Sequence, residues 1–410
     1  GHDPSHVDGA AAVVVTTDVP PDNPELVAAR SRGLPVLHRS EVLASFLNAG
    51  GGIAVTGTHG KTTTTSMIGT ILEKAGLDPT IFVGGELPGI GGTGKLGRGR
   101  YVVAEACESD GTFLRYHPWL AVVTNCEREH LEHYGGEFAN LITAFEAFLG
   151  QIQPEGRLVL CGDDPILARV AARLRQRPIL YGFGVRNEWV ASALQVEQAR
   201  GGGTSFDVSR SGCFLGRVYA AVPGRHMVLN ALAAIAACTE AGVTFRKSAE
   251  VLAGFGNARR RFQVISISGG IRVVDDYAHH PTEIQATLQA ARALTQGRLI
   301  AVFQPQRYVR THNLMNEFSQ AFGAADRLLL AEIYSPPGEA PIPGVSSAVL
   351  ADLIRRRGAV DVELIADKED IVSRCLELAA PGDTVLVMGA GDIWTVAAEL
   401  GRRLSERQAS

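Results

Sequence analysis

The stretch Val55-Thr56-Gly57-Thr58-His59-Gly60-Lys61-Thr62-Thr63 constrains this chain more than any other. An apolar run, Ile53 to Val55, leads into it. A helix-period run follows, with Met67, Ile68, Ile71, Leu72 and Ala75 on one face and Gly76 as the stop. Strand, glycine-bearing loop and helix N-terminus together make an anion site. Loop and first-turn N–H groups converge on phosphate oxygens, and the helix dipole adds to them. Lys61 would reach the β- and γ-phosphates of a nucleotide and Thr62 would ligate a magnesium ion. The usual phosphate loop has a glycine five positions before Gly60, where this chain has Val55, so the loop is a shorter Gly-x-x-Gly-Lys-Thr form.

Composition narrows the surroundings. A length of 410 residues fits two or three domains. Hydrophobic residues at 46% and charged residues at 20% suit an α/β protein. A net charge of −4 gives no electrostatic reason for nucleic acid or an anionic membrane as partner. No apolar run approaches the ~20 residues of a membrane span, and no signal-peptide pattern occurs. The cysteines (107, 126, 161, 213, 238 and 375) have no metal-binding spacing and read as reduced cytosolic thiols.

Along the chain, strands are expected at 11–16 and 35–37 and helices at 25–31 and 41–47, about half of a doubly wound domain. Gly50-Gly51-Gly52 reads as a linker, and the glycine-rich segment 84–99 as a mobile loop. Strand 101–104 delivers Glu105-Ala106-Cys107-Glu108-Ser109-Asp110. Strand 120–123 delivers Thr124-Asn125-Cys126-Glu127-Arg128-Glu129-His130. Ligands sit at strand ends in parallel sheets, so both clusters are expected to face the phosphate loop. Further strands are expected at 157–160 and 178–181, and helices at 165–175 and 229–241. A composition shift at Arg259-Arg260-Arg261-Phe262 opens a second α/β unit. Its strands are expected near 271–274, 299–303, 328–332 and 384–388, and its helices near 282–293, 313–322, 347–356 and 370–379.

Three constellations carry candidate chemistry, each with a plainer alternative. Glu105 and His130 would join Thr62 around a divalent ion, although magnesium prefers oxygen ligands; alternatively they are a helix-capping carboxylate and a structural histidine. Asp275-Asp276-Tyr277-Ala278-His279-His280-Pro281 is either a ligand-binding βα turn or simply a capped one, with Pro281 in a favoured first-turn position. At most one of His279 and His280 is expected to be functional. Arg307 and Arg310 would share a helical face and clamp a carboxylate or phosphate, or else form a solvated charged face.

These motifs resemble the Mur ligases of peptidoglycan synthesis. The resemblance rests on Gly57 to Thr62, Glu105 to Asp110, Thr124-Asn125 through His130, Pro223-Gly224-Arg225-His226 and Arg260-Arg261-Phe262, and runs over essentially the whole chain. Four stretches resemble the members that add L-alanine to UDP-N-acetylmuramate: Asp22 to Glu25, Asp275 to Glu283, Phe303 to Thr311 and Gly338 to Gly344. The resemblance implies three α/β domains: 1–49 for UDP binding, 50–261 for ATP and 262–410 for the amino acid. It implies ATP and Mg²⁺, no nucleic acid or membrane partner, a monomer or homodimer, and a cytoplasmic location.

Carried over by motif, Gly57, Thr58, His59, Gly60, Lys61, Thr62 and Thr63 cradle the ATP phosphates. Thr62, Glu105 and His130 hold the metal, Asn230 meets the adenine, and Arg261 and Asp276 meet the nucleotide. His279, Arg307 and Arg310 line the acceptor site; Lys61, Glu105, His130 and His279 form the catalytic set. The implied reaction passes through an acyl phosphate. A ligase that adds a preformed peptide, or a nucleotide-binding homologue without turnover, is the competing expectation. Departures from the family pattern are Cys107 and Glu129 where aspartate is usual, Gln306 for histidine, Ala278 for glycine and Met227 for asparagine. The last is expected to weaken adenine recognition. No glycine-rich UDP-binding stretch precedes Gly1, so an incomplete N-terminal domain with weak UDP-sugar binding is also expected.

Overall fold

The computed structural model describes residues 1–17, 19–198, 202–336 and 338–409. The chain forms two compact units. Gly1–Ser192, Asp207–Gly216 and Leu229–Leu252 make the first; Ala193–Phe206, Arg217–Val228 and Ala253–Ser410 make the second. The order begins β1 (Val13–Val15), α1 (Pro24–Ser31), β2 (Val36–His38), α2 (Arg39–Leu47), β3 (Gly52–Thr56), α3 (Lys61–Lys74), β4 (Thr80–Leu87), β5 (Gly92–Lys95), β6 (Val102–Glu105) and β7 (Leu120–Val123). It continues with α4 (Phe138–Gly150), β8 (Arg157–Cys161), α5 (Pro165–Ala171), β9 (Ile179–Gly182), β10 (Trp189–Val196), β11 (Thr204–Arg210), β12 (Cys213–Ala220), α6 (Arg225–Glu240) and α7 (Phe245–Ala253).

The strands lie in the order β12-β11-β10-β9-β8-β7-β3-β6-β4-β5. At its centre β3 pairs in parallel with β6 and β7. Every residue of β3 and of β7 is buried, as expected for strands covered on both faces. The smaller β1–β2 pair is parallel, with α1 packed on it through Ala28 and Ala29. Sequence punctuation sets several helix starts. Asn23 accepts from the N–H of Glu25 and Leu26 ahead of Pro24, and Asp164 does the same ahead of Pro165.

The remaining elements are β13 (Gln263–Ser268), β14 (Ile271–Asp276), α8 (Pro281–Leu294), β15 (Leu299–Phe303), α9 (Tyr308–Asn313), α10 (Met315–Phe318), β16 (Arg327–Leu330), α11 (Ser347–Arg357), β17 (Asp361–Leu364), α12 (Lys368–Leu378), β18 (Thr384–Met388) and α13 (Trp394–Ala409). Their sheet runs β13-β14-β18-β15-β16-β17, parallel except for β13 on β14. β15 and β18 are wholly buried. Val273, Ile300, Val302, Val385 and Val387 pack there with Ile371, Val396 and Leu400 of the covering helices.

Several expectations change. Gly50-Gly51-Gly52 is not a loose linker, because Gly51 and Gly52 are buried and Gly52 opens β3. A Cβ on Gly51 would stand 1.9 Å from the Arg100 carbonyl oxygen, and one on Gly52 2.0 Å from that of Leu47. The glycine-rich segment folds as the antiparallel hairpin β4–β5. The helix expected at 313–322 is instead two short helices, α9 and α10. Helix α4 and strands β10 to β12 escape the sequence reading. Mixed burial in β10 and β12 blurs the period of two that marks a strand. Among the described residues, no helix is long and apolar enough to cross a membrane.

Candidate active site

The loop between β3 and α3 is held open by backbone geometry. Gly57 has φ 125° and Gly60 φ 83°, both left-handed. A Cβ on Gly57 would meet Thr124 Oγ1 at 2.2 Å, so a side chain there is excluded by space as well as by conformation. The β7 cluster braces the loop. Asn125 Oδ1 accepts the His59 N–H at 2.8 Å, while Thr124 Oγ1 and Asn125 Nδ2 donate to the His59 carbonyl at 2.6 and 3.0 Å. The Glu127 N–H donates to Thr58 Oγ1 at 2.8 Å. Gly60 begins α3 with no side-chain cap. Asn230, expected at an adenine, has its carboxamide against this glycine; a Cβ there would lie 2.6 Å from Asn230 Oδ1.

Pairing of β3 with β6 brings the other cluster to the same mouth, Val55 lying opposite Glu105. Thr62 Oγ1 donates to Glu105 Oε2 at 3.1 Å, and the Gly84 N–H donates to Glu105 Oε1 at 2.5 Å. Lys61 Nζ donates to the carbonyls of Gly57 and Thr58 at 2.6 and 3.1 Å and to Glu108 Oε1 at 3.0 Å. Burial opposes the lysine charge, but Glu108, Cys107 and Glu105 outweigh that, and its pKa is raised. Glu108 is almost wholly buried, and its Oε2 has no hydrogen-bond partner among the described residues. Burial likewise pushes the Cys107 thiol up.

His130 stands in the left-handed region at φ 57°, with its ring nitrogens 3.8 Å from carboxylate oxygens of Glu129 and Glu132. Among the described residues, the direct contact in the expected metal trio is Thr62 with Glu105. A cavity of ≈ 440 Å³ adjoins Glu105 and Cys107, lined also by Val14, Arg39, Leu43, Phe46 and Phe82.

In the second unit, parallel pairing aligns the ends of β14, β18 and β15, with Asp276 and Phe303 both opposite Met388. Asp276 is a buried tie. Its carboxylate accepts the N–H of Phe262 at 2.6 Å and of Ala278 at 2.8 Å. Burial pushes its carboxyl up from an ordinary 3.8 to about 6, with Arg261 pulling the other way. Arg261 and Arg260 each stand 5.0 Å from the Tyr277 ring. His280 caps α8, forming a capping box with Glu283. His279 Nδ1 lies 3.0 Å from the Tyr277 carbonyl and 3.4 Å from Glu283. Strand β18 separates the strand leading to His279 from the one leading to the arginines.

The paired-arginine expectation needs correction. Arg307 is not helical: it precedes α9 as its N-cap, at φ 69°. The Tyr334 carbonyl accepts the Arg307 N–H at 2.9 Å and holds it there. Arg310 does lie in α9, with Nη1 3.2 Å from Gln306 Oε1. Met227 is 3% exposed, which leaves little surface for a base.

Three residues escape a reading by motif. Glu108 neutralises Lys61, and its trace in the sequence is the second acid of Glu105-x-x-Glu108. Arg260 reaches the carbonyls of Gly389 and Gly391 and the Asp275 carboxylate. Glu339 meets Arg307 at 3.6 Å; only its place in the Gly338-to-Gly344 stretch hinted at a role.

Family models, relatives and solved structures match this chain along most of its length. Residues 1–50 match the Mur ligase family catalytic domain, 55–238 the Mur ligase middle domain and 260–391 the Mur ligase glutamate ligase domain. The UDP-N-acetylmuramate–L-alanine ligase of Symbiobacterium thermophilum is 56% identical, over 99% of this chain and 84% of its own. That of Pelotomaculum thermopropionicum is 45% identical, over 99% and 87%. Among solved structures, the UDP-N-acetylmuramate–alanine ligase of Thermotoga maritima superposes with a TM-score of 0.82 at 26% identity, covering 98% of this chain and 87% of that one. The Thermotoga maritima MurF ligase in complex with ADP, 17% identical, shares the fold at a TM-score of 0.74, over 98% and 96%.

Proposed function

The chain belongs to the Mur ligase family, and from that premise we propose that it joins L-alanine to UDP-N-acetylmuramate at the expense of ATP, in cytoplasmic peptidoglycan precursor synthesis. The observation that carries this reading is the pairing of Lys61 with Glu108 and of Thr62 with Glu105, at a glycine-built loop beside a cavity large enough for a substrate arm.

The carboxylate of the sugar's lactyl group attacks the γ-phosphorus of ATP. The bond to ADP breaks and an acyl phosphate forms. The α-amine of alanine then attacks that carbonyl, phosphate leaves and the amine proton is lost. An anion attacking a polyanion is opposed electrostatically, so positioning and charge neutralisation dominate. The loop N–H groups from Gly57 to Thr63 and the uncapped start of α3 hold the phosphates, and Lys61 supplies the cation. Asn230, against Gly60, backs the loop on the nucleotide side. Arg261 and Asp276 belong to the nucleotide contacts, Asp276 through the backbone it ties.

A hydroxyl and a carboxylate 3.1 Å apart, with a buried oxygen of Glu108 on the same strand end that has no partner among the described residues, suit a hard oxygen-seeking cation. Thr62 and Glu105, with His130, would hold magnesium, which neutralises phosphate charge when bound. His279, Arg307 and Arg310 receive the amino acid, the arginines taking its carboxylate. The enzyme acts as a monomer or homodimer.

Phosphate release with UDP-N-acetylmuramate, ATP and magnesium chloride is the test. L-Alanine should support turnover and give a product heavier by one alanyl residue. Turnover only with a preformed peptide would make this a peptide-joining ligase, and ATP binding without turnover a degenerate homologue.

A further inference from the structure

Arg307 adopts a backbone conformation that L-residues rarely hold, so its surroundings must impose it. Part of that frame is the Tyr334 carbonyl already described. The rest is Glu339. Its carboxylate accepts the N–H of Tyr308 at 3.2 Å and of Val309 at 3.3 Å, the two donors that follow Arg307. Ser335 Oγ donates to the same carboxylate at 3.1 Å. The Glu339 side chain is 10% exposed, whereas that of Arg307, which meets it through Nε at 3.6 Å, is 47% exposed. One largely covered carboxylate thus holds the backbone that follows Arg307 and lies against the inner edge of its guanidinium.

We propose that Glu339 is the positioning residue that aims Arg307 at the acceptor's carboxylate, and so sets selectivity for a single small amino acid. This rests on the functional reading above. A guanidinium clamps a carboxylate well only when its plane is set beforehand. Glu339 sits in the 338–344 stretch that marks alanine-adding members by resemblance, and its contacts give that stretch a physical link to the acceptor site. A longer acceptor carries its carboxylate farther from its amine. An arginine fixed close to the strand end therefore favours one residue over a peptide.

The test compares wild type, Glu339→Ala, Glu339→Gln and Arg307→Lys, with thermal melting of each chain as the folding control. Glu339→Ala should raise the KM for L-alanine about tenfold, while kcat and the KM for ATP stay within about twofold. Glu339→Gln keeps an oxygen for one of the two N–H groups, sets an NH2 against the other and lacks the charge; its KM should rise about threefold. It carries the test if the alanine variant does not fold. In an Arg307→Lys background, Glu339→Ala should add little, because coupled residues are non-additive. Discrimination between L-alanine and an alanyl peptide should narrow. An unchanged alanine KM, a fall in kcat alone, or full additivity with Arg307→Lys would overturn the proposal while leaving the ligase reading intact. A wild-type enzyme that does not use alanine overturns both.

Discussion

The phosphate loop and the candidate acceptor site are built in opposite ways. The loop is contiguous in sequence and presents its own backbone: two left-handed glycines shape it, and the side chains of Thr124 and Asn125 from the neighbouring strand end brace its N–H and carbonyl groups. The acceptor site is assembled from pieces far apart in the chain. It is held by side chains: Glu339 under Arg307 and Gln306 under Arg310. A backbone-built site binds any group of the right charge and size, whereas a side-chain-built site can change its acceptor with one or two substitutions. That difference suits a family in which phosphoryl transfer is shared and the acceptor varies.

The strongest way to break this comparison is at Lys61. Lys61→Ala should lower phosphate release by about 10²–10³, the loss that follows removal of one charge-stabilising donor. It should also destabilise the chain by about 3–5 kcal/mol, since Glu108 is left buried and unpaired. The double variant Lys61→Ala/Glu108→Gln should recover most of the stability in thermal melts and none of the turnover. Recovery of turnover would remove Lys61 from the chemistry.

Next is the pH response of Asp276. Its folded pKa of about 6 lies above the ordinary 3.8, so the folded state binds the proton more tightly. Its contribution to stability is full below 3.8 and is lost as pH rises through about 6, roughly 3 kcal/mol in all. Denaturant unfolding between pH 4 and 7 should show that slope, and Asp276→Asn should reduce it, with the neighbouring Asp275, which burial also pushes up to about 6, carrying the remainder. An equal slope in the variant would assign the pH response to other groups.

Arg307→Lys should follow, raising the alanine KM about tenfold with the ATP KM little changed, because an ammonium lacks the planar fork. A shift confined to ATP would move this arginine to the nucleotide site. The smallest effect is expected at Gln306→Ala. It removes one hydrogen bond to Arg310, about 0.5–1.5 kcal/mol, and so a several-fold rise in alanine KM by the same kinetics. An effect larger than that of Arg307→Lys would invert the ranking of the two arginines.

The sequence by itself determined what depends on near neighbours in the chain. A strand, two glycines, a lysine and a helix start within nine residues specify the loop, because the N–H groups proposed to bind phosphate belong to that segment alone. Asn23-Pro24, Asp164-Pro165 and His280-Pro281 begin helices for the same reason: cap and capped donors are two or three residues apart. Tertiary structure decided what depends on partners far along the chain. It turned Gly51 and Gly52 from a linker into a packed strand entry, and folded 84–99 into a hairpin. It gave Lys61 a buried counter-ion 47 residues away and put Arg307 out of helical conformation under a carboxylate 32 positions later. A carboxylate's role is set by what lies within a few ångströms of it, and composition or spacing along one strand cannot supply that distance.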